Sequence, residues 1–166
     1  MDALSTLSDF EAFVRAHQAR ALRIGVRLAF GDAAAAQDAV QEAFLRLWRC
    51  REQLEASNLE AYLYRTVLSC ARDANRRLRP TVPLDEKLAL SPRHESPDTG
   101  LMVRDALAQL PDDQREVVIL SHYEGWTQAE IAELLQIPPG TVASRLHHAL
   151  RKLRVLLTDA EDQTHA

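Results

Sequence analysis

Glycine is scarce in this sequence, at five residues in 166, and no stretch alternates apolar and polar residues for long enough to suggest a sheet. Aromatic residues make up only 5%. The two cysteines, Cys50 and Cys70, are isolated. That excludes a disulfide scaffold and points to a reduced, cytoplasmic protein. No run approaches the ~20 apolar residues that span a bilayer. The N-terminus is acidic and has no apolar h-region, so no secretory signal and no membrane contact are expected. A basic excess is also missing. The formal net charge is −4, which argues against a generally basic nucleic-acid binder. Nucleophile–base pairs, glycine-rich phosphate loops and metal-ligand spacings are lacking too, so neither an enzyme nor a cofactor is expected.

What is abundant is Ala, Leu, Arg, Glu and Gln, which predicts an all-α fold. Ser8 with Glu11 reads as a capping box opening a first helix that carries Phe10, Phe13 and Val14. A second helical stretch holds Leu22, Ile24, Val26, Leu28 and Phe30 and stops near Gly31. Asp32 caps a long helix with Val40, Phe44 and Leu47 at helical spacing. Ser57 or Asn58 opens another, running through Tyr62, Leu63, Val67 and Leu68. Pro80, Pro83, Pro92, Pro97 and Gly100 then interrupt any long helix, so 80–100 reads as a flexible linker. Helices resume with Leu101, Leu107 and Leu110. Asp112 is the expected cap of a helix through Val117–Leu120 that ends near Gly125. The last nine residues are polar and expected to fray. Two small helical domains follow, 1–79 and 101–166, joined by the linker.

Charge is distributed unevenly. From Arg65 to Arg79 five arginines face one acid, Asp73, and from Ser144 to Arg154 there are four cations and no acid. The second patch lies in the sharpest pattern of the chain. Thr127 and Glu130 form a capping box, Ile131, Leu134 and Leu135 give the short helix an apolar face, and Gln136–Gly140 is a turn. Pro139 suits the first position of the next helix. In that helix Val142, Leu146, Ala149 and Leu153 share one stripe. The opposite face carries Thr141, Ser144, His147, His148 and Arg151, flanked by Ala143 and Arg145. Hydrogen-bonding groups near a helix N-terminus are what a major-groove reader needs, and the pattern is a helix-turn-helix. Adjacent His147 and His148 point about 100° apart on a helix. Neither has a carboxylate or thiol one turn away, so no metal site is expected.

The order of blocks resembles the extracytoplasmic-function group of sigma factors. The C-terminal match is ALAQLPDDQREVVIL (106–120), GWTQAEIAELL (125–135) and GTVASRLHHALRKLR (140–154). It looks like the fourth conserved region, which reads the minus-thirty-five promoter element. The N-terminal match is DAVQEAFLRLW (38–48) and YLYRTVLSCARDANRR (62–77). It looks like the second region, which docks on polymerase and opens the minus-ten element.

The resemblance implies a set of roles. Asp38, Gln41, Glu42 and Leu45 lie along one polar helix stripe and would bind the clamp helices of core RNA polymerase. The flap of the polymerase would engage the C-terminal region. Tyr62 and Ser69, with the loop at 52–60, would hold a flipped minus-ten base. Arg65, Arg72, Arg76 and Arg77 would hold phosphates. Thr141, Ala143, Ser144, Arg145, His147, His148 and Arg151 would meet the minus-thirty-five duplex. Relatives commonly carry Asn where Ser69 stands, and a serine cannot make the amide's bidentate pair. Relatives also often have a basic residue at Ala143 and Arg at His148, and both departures remove charge. Expected partners are core polymerase, promoter DNA and an anti-sigma factor. The alternative is a dimeric helix-turn-helix regulator whose residues 1–79 sense a signal and which binds an operator without polymerase. The arginine-rich 72–79 and the Asp38–Trp48 block speak against it.

Overall fold

The computed structural model describes residue 4 and residues 6–78 and 97–164, and these hold helices and turns but no strand. They fall in two compact units, one ending with the helix Leu59–Leu78 and one beginning with the helix Pro97–Ala108. No described helix is long and apolar enough to cross a membrane.

The first unit contains α1 (Leu7–Leu28), α2 (Ala33–Cys50) and α3 (Leu59–Leu78). Two of the sequence expectations fail in α1. Its cap is Thr6, whose side chain accepts from the Asp9 amide at 3.1 Å while Asp9 reaches back to the Thr6 amide. Ser8 therefore lies inside the first turn. Both Ser8–Glu11 and Thr6–Asp9 fit the box pattern, and the earlier pair lengthens the helix by half a turn. The two expected stretches are also one helix. The polar, Ala-rich residues 15–20 are good helix formers, and Ala16, Gln18 and Ala19 simply lie on the exposed face.

α1 ends in a Schellman turn. The Gly31 amide donates to the Val26 carbonyl at 2.9 Å, and Phe30 takes the left-handed conformation (φ 54°). Asp32 caps α2 as expected, accepting from the Ala35 amide at 2.9 Å. α2 runs back along α1. Gly25 is the point of closest approach, where an added Cβ would sit 3.4 Å from both the Ala36 Cβ and a Val40 methyl. At the other end Phe10 meets Phe44 and Trp48, with ring centroids 6.4 and 4.8 Å away. α3 runs in the direction of α1. His17 Nδ1 lies 3.1 Å from the Tyr64 hydroxyl, and the Asn75 amide donates to the Leu28 carbonyl at 2.9 Å. Each contact pairs residues 47 apart in sequence. Ile24, Leu47, Leu63 and Val67, all at or near zero exposure, fill the centre. Burial of each side chain contributes about 1.5–3 kcal/mol.

The second unit contains α4 (Pro97–Ala108), α5 (Asp112–Val118), α6 (Gln128–Leu135) and α7 (Pro139–Thr164). α4 takes in the last four residues of the segment read as linker, 97–100. Pro97 stands at the helix's first position, where its missing N–H costs nothing. Gly100 is tolerated inside the helix at roughly 1 kcal/mol. The rest of the expected linker lies outside the described residues. α5 continues through a π-helical turn, Ile119–Tyr123. Val117, Val118, Ile119 and Leu120 are all buried, so this segment is the centre of the unit, packed on every side.

Asp112 is not the cap expected of it. Pro111 holds the cap position, and Asp112 instead pairs with Arg115 at 2.9 Å. Arg115 is 1% exposed. It donates to the carbonyls of Leu107 at 2.9 Å and Leu110 at 2.6 Å, with a longer contact to Ala108 at 3.5 Å. One guanidinium thus satisfies the carbonyl end of α4 and locks the α4–α5 corner.

Candidate polymerase and promoter interfaces

The helix-turn-helix forms from α6 and α7. Thr127 caps α6 through the expected box, its hydroxyl accepting from Glu130 N at 3.2 Å and Glu130 reaching the Thr127 amide at 2.7 Å. α6 ends at Gln136, which adopts the left-handed conformation (φ 55°). The Ile137 amide then closes on the Ala132 carbonyl at 3.1 Å. Pro139 opens α7. Val142, Leu146 and Ala149 are buried and Leu153 is half-buried, so the predicted apolar stripe is the packed one. Ser144, His147, His148 and Arg151 are exposed on the opposite face, while Thr141, Ala143 and Arg145 are half-buried at its margins. The His147 and His148 rings lie 5.7 Å apart at 73°. No group of residues suited to hold a metal is present among the described residues.

Arg145 differs from its expected setting. Its Nε lies 3.1 Å from Asp113 in the first turn of α5. The ion pair ties α7 to the α4–α5 corner and turns this guanidinium toward its own unit. Lys152 reinforces the same junction by donating to the Gln109 carbonyl at 2.6 Å.

In the first unit the α2 stripe is where the spacing put it. Asp38, Gln41 and Leu45 are exposed, Leu45 at 49%. Glu42 is half-buried and held by Arg46 at 2.6 Å. That hydrogen bond raises the Arg46 guanidinium above its ordinary range. Arg46 was not foreseen as part of this surface, although its i,i+4 spacing from Glu42 signals the pair.

On α3, Tyr62, Arg65, Ser69, Arg72 and Arg76 fall within about 80° of helix arc. Arg77 lies about 100° from Arg76, on the neighbouring flank. Ser69, Arg76 and Arg77 are exposed, and Tyr62, Arg65 and Arg72 are half-buried. A hydrogen bond with Cys50, followed by burial, raises the Tyr62 phenol above its ordinary value. Burial likewise raises the Cys70 thiol. Both cysteines are free thiols. Asp73 is exposed beside Ser69, so the face is not uniformly basic.

The loop before α3 consists of two 3₁₀ turns, Arg51–Gln53 and Ala56–Asn58. Arg51 anchors its start. The guanidinium lies 3.7 Å from the centre of the Trp48 ring, donates to the Trp48 carbonyl at 2.6 Å and pairs with Glu52 at 2.9 Å. The sequence alone did not single out Arg51, because a cation in a polar loop gives no sign that it stacks.

The described residues form two helical units, one with an arginine-lined helix and the other with a helix-turn-helix. Residues 13–81 match the Sigma-70 region 2 family, and residues 100–153 match Sigma-70, region 4. The chain is similar to the ECF RNA polymerase sigma factor SigL of Mycobacterium tuberculosis strain H37Rv. The two are 39% identical over 153 residues, covering 86% of this chain and 85% of that one. It is 36% identical over 151 residues to the RNA polymerase sigma-E factor of Streptomyces coelicolor, covering 88% of this chain and 84% of that one. In structure it resembles CnrH, solved with the cytosolic domain of CnrY, at TM-score 0.72 and 25% identity over 95% of this chain and 93% of that one. It also shares the fold of the sigma factor RpoE of Bartonella quintana, solved with the anti-sigma factor NepR, at TM-score 0.71 and 24% identity over 92% of this chain and 98% of that one. The chain therefore belongs to the extracytoplasmic-function group of the sigma-70 family. It is an alternative sigma factor that directs transcription.

Proposed function

We propose that the protein binds core RNA polymerase in the cytoplasm and directs it to promoters by reading two elements, one with each unit. The exposed face of α7 carries the reading. Ser144, His147, His148 and Arg151 project together from the N-terminal half of a helix whose opposite face packs through Val142, Leu146 and Ala149. In this role α7 lies in the major groove of the minus-thirty-five duplex, with Thr141, Ala143 and Arg145 at the edges of the contact. Arg145 contributes less than a free arginine would, because Asp113 already holds it.

The first unit docks through Asp38, Gln41, Glu42 and Leu45 on the clamp helices, and the second on the flap. Tyr62, Ser69 and the loop at 52–60 form the pocket for an unpaired minus-ten base. Such a pocket needs a stacking or apolar wall and hydrogen bonds to the base edge. Arg65, Arg72, Arg76 and Arg77 hold the backbone of the opened strand. Residues 1–79 and the helices from Pro97 onward act as separate modules on the segment that joins them. Neither has to bind DNA tightly alone, because assembly on polymerase raises the effective concentration of both. An anti-sigma factor that covers the same surfaces is the expected regulator; the structural neighbour RpoE was solved in complex with the anti-sigma factor NepR.

Run-off transcription with purified core polymerase on a genomic promoter library tests the proposal. Specific transcripts above the core-only control are expected, and a template set on which the protein adds nothing to core would overturn it. A palindromic footprint without polymerase would favour the dimeric regulator instead.

A further inference from the structure

Between Glu11 and Asp32 the chain has no acid, yet carries Arg15, Arg20, Arg23 and Arg27. This run forms most of α1. Arg20, Arg23 and Arg27 fall within about 60° of helix arc and span about 10 Å. Their position around α1 is fixed by its neighbours. Gly25 faces Ala36 and Val40 of α2, whereas His17 and Leu28 meet Tyr64 and Asn75 of α3. The three arginines lie beyond the α3 contact, on the side away from α2. Arg20 touches Glu60 at the start of α3 at 4.0 Å, which places it on this seam.

Proceeding around α3 from Tyr64 and Asn75, away from α2, Leu68 comes first, then Arg72, Arg65 and Arg76. Because α1 and α3 run the same way, two arginine stripes lie side by side along one face. Ala61 and the buried Leu68 lie between them, and Glu60 is the acid at one end.

We propose that Arg20, Arg23 and Arg27 form a second phosphate-binding stripe, which holds the backbone of the unpaired promoter strand alongside α3. Charge complementarity and continuity with the α3 arginines select a nucleic-acid backbone as the occupant. The proposal rests on the minus-ten reading above.

The test uses holoenzyme on a promoter template with a pre-opened bubble over the minus-ten region, titrated with salt. In R20Q/R23Q/R27Q, the plot of log affinity against log salt should become shallower by up to about 2, from roughly 0.7 per lost single-strand contact, with Arg20 contributing least because Glu60 lies 4.0 Å from it. Co-elution with core polymerase and the melting temperature should match the parent protein. The triple Lys variant, which keeps the charge, should restore the slope. An unchanged slope in the Gln variant overturns the proposal. So does loss of core binding, which would make the stripe a protein-docking surface, or failure of the Lys variant to recover. If the parent holoenzyme itself does not prefer the bubble template, the minus-ten reading fails rather than this stripe alone.

Discussion

Replacing Arg115 by leucine should destabilise the second unit severely while leaving the first unchanged. In the parent protein the guanidinium is buried and satisfies two carbonyls at 2.9 Å or less, with Asp112 at 2.9 Å as counter-ion. A leucine of similar bulk fills space but leaves the Leu107 and Leu110 carbonyls without that donor. Each buried acceptor left unsatisfied costs about 1–3 kcal/mol. Breaking a buried pair costs about 3–5 kcal/mol in all. Asp112 is only partly buried and recovers water, so the lower half of that range, about 3–4 kcal/mol, is expected. For a domain of this size that corresponds to a fall of roughly 15 °C or more in melting temperature. Native-state hydrogen exchange on the full chain reads the two units separately. Amides of α5 and α6 should exchange faster by a factor of several hundred, while those of α2 and α3 keep their rates. A loss under about 1 kcal/mol would refute the claim that this side chain holds the corner.

Gln136 adopts φ 55° at the turn of the helix-turn-helix. Gln136→Gly removes the Cβ strain there and should stabilise the second unit by about 0.5–1 kcal/mol, read from the midpoint of urea denaturation. A destabilised variant would mean that the Gln136 side chain makes a contact worth more than the strain. Ser144→Ala with His148→Ala should weaken binding of holoenzyme to the minus-thirty-five duplex by about 1–3 kcal/mol per lost base contact, with core binding intact. If core binding falls instead, α7 faces the polymerase. Asp38→Ala with Leu45→Ala should lower affinity for core polymerase at least tenfold with no change in melting temperature, because both side chains are exposed. An unaltered affinity places the docking surface elsewhere.

The helices were legible wherever an apolar stripe and a cap agreed. Asp32 with Val40, Phe44 and Leu47 defined α2, and Thr127 with Ile131, Leu134 and Val142 defined the helix-turn-helix. α1 was harder because residues 15–20 carry no buried apolar side chain, and an exposed turn looks like a break. Thr6 and Ser8 offered competing boxes, which periodicity cannot separate. Pro97 and Gly100 read as interruptions, yet a proline at a helix start is compatible with the helix it opens.

The largest omission was electrostatic. Arg115, Arg145, Arg51 and Glu42 are charged side chains, for which sequence alone predicts solvent. Each is instead tied to a partner that only the tertiary packing brings close or that a neighbouring turn supplies. The candidate surfaces were legible as helix faces. Which of their charges is already engaged was not.

Promoter selectivity with and without polymerase tests the two-module account most directly. Binding of one promoter fragment and one scrambled fragment is measured with the free protein and with holoenzyme, with permanganate reactivity of minus-ten thymines as the sign of strand opening. The account predicts little discrimination by the free protein, and selective binding with reactive thymines only once core polymerase is present. Equal discrimination by the free protein, with core polymerase adding neither affinity nor opening, would contradict it.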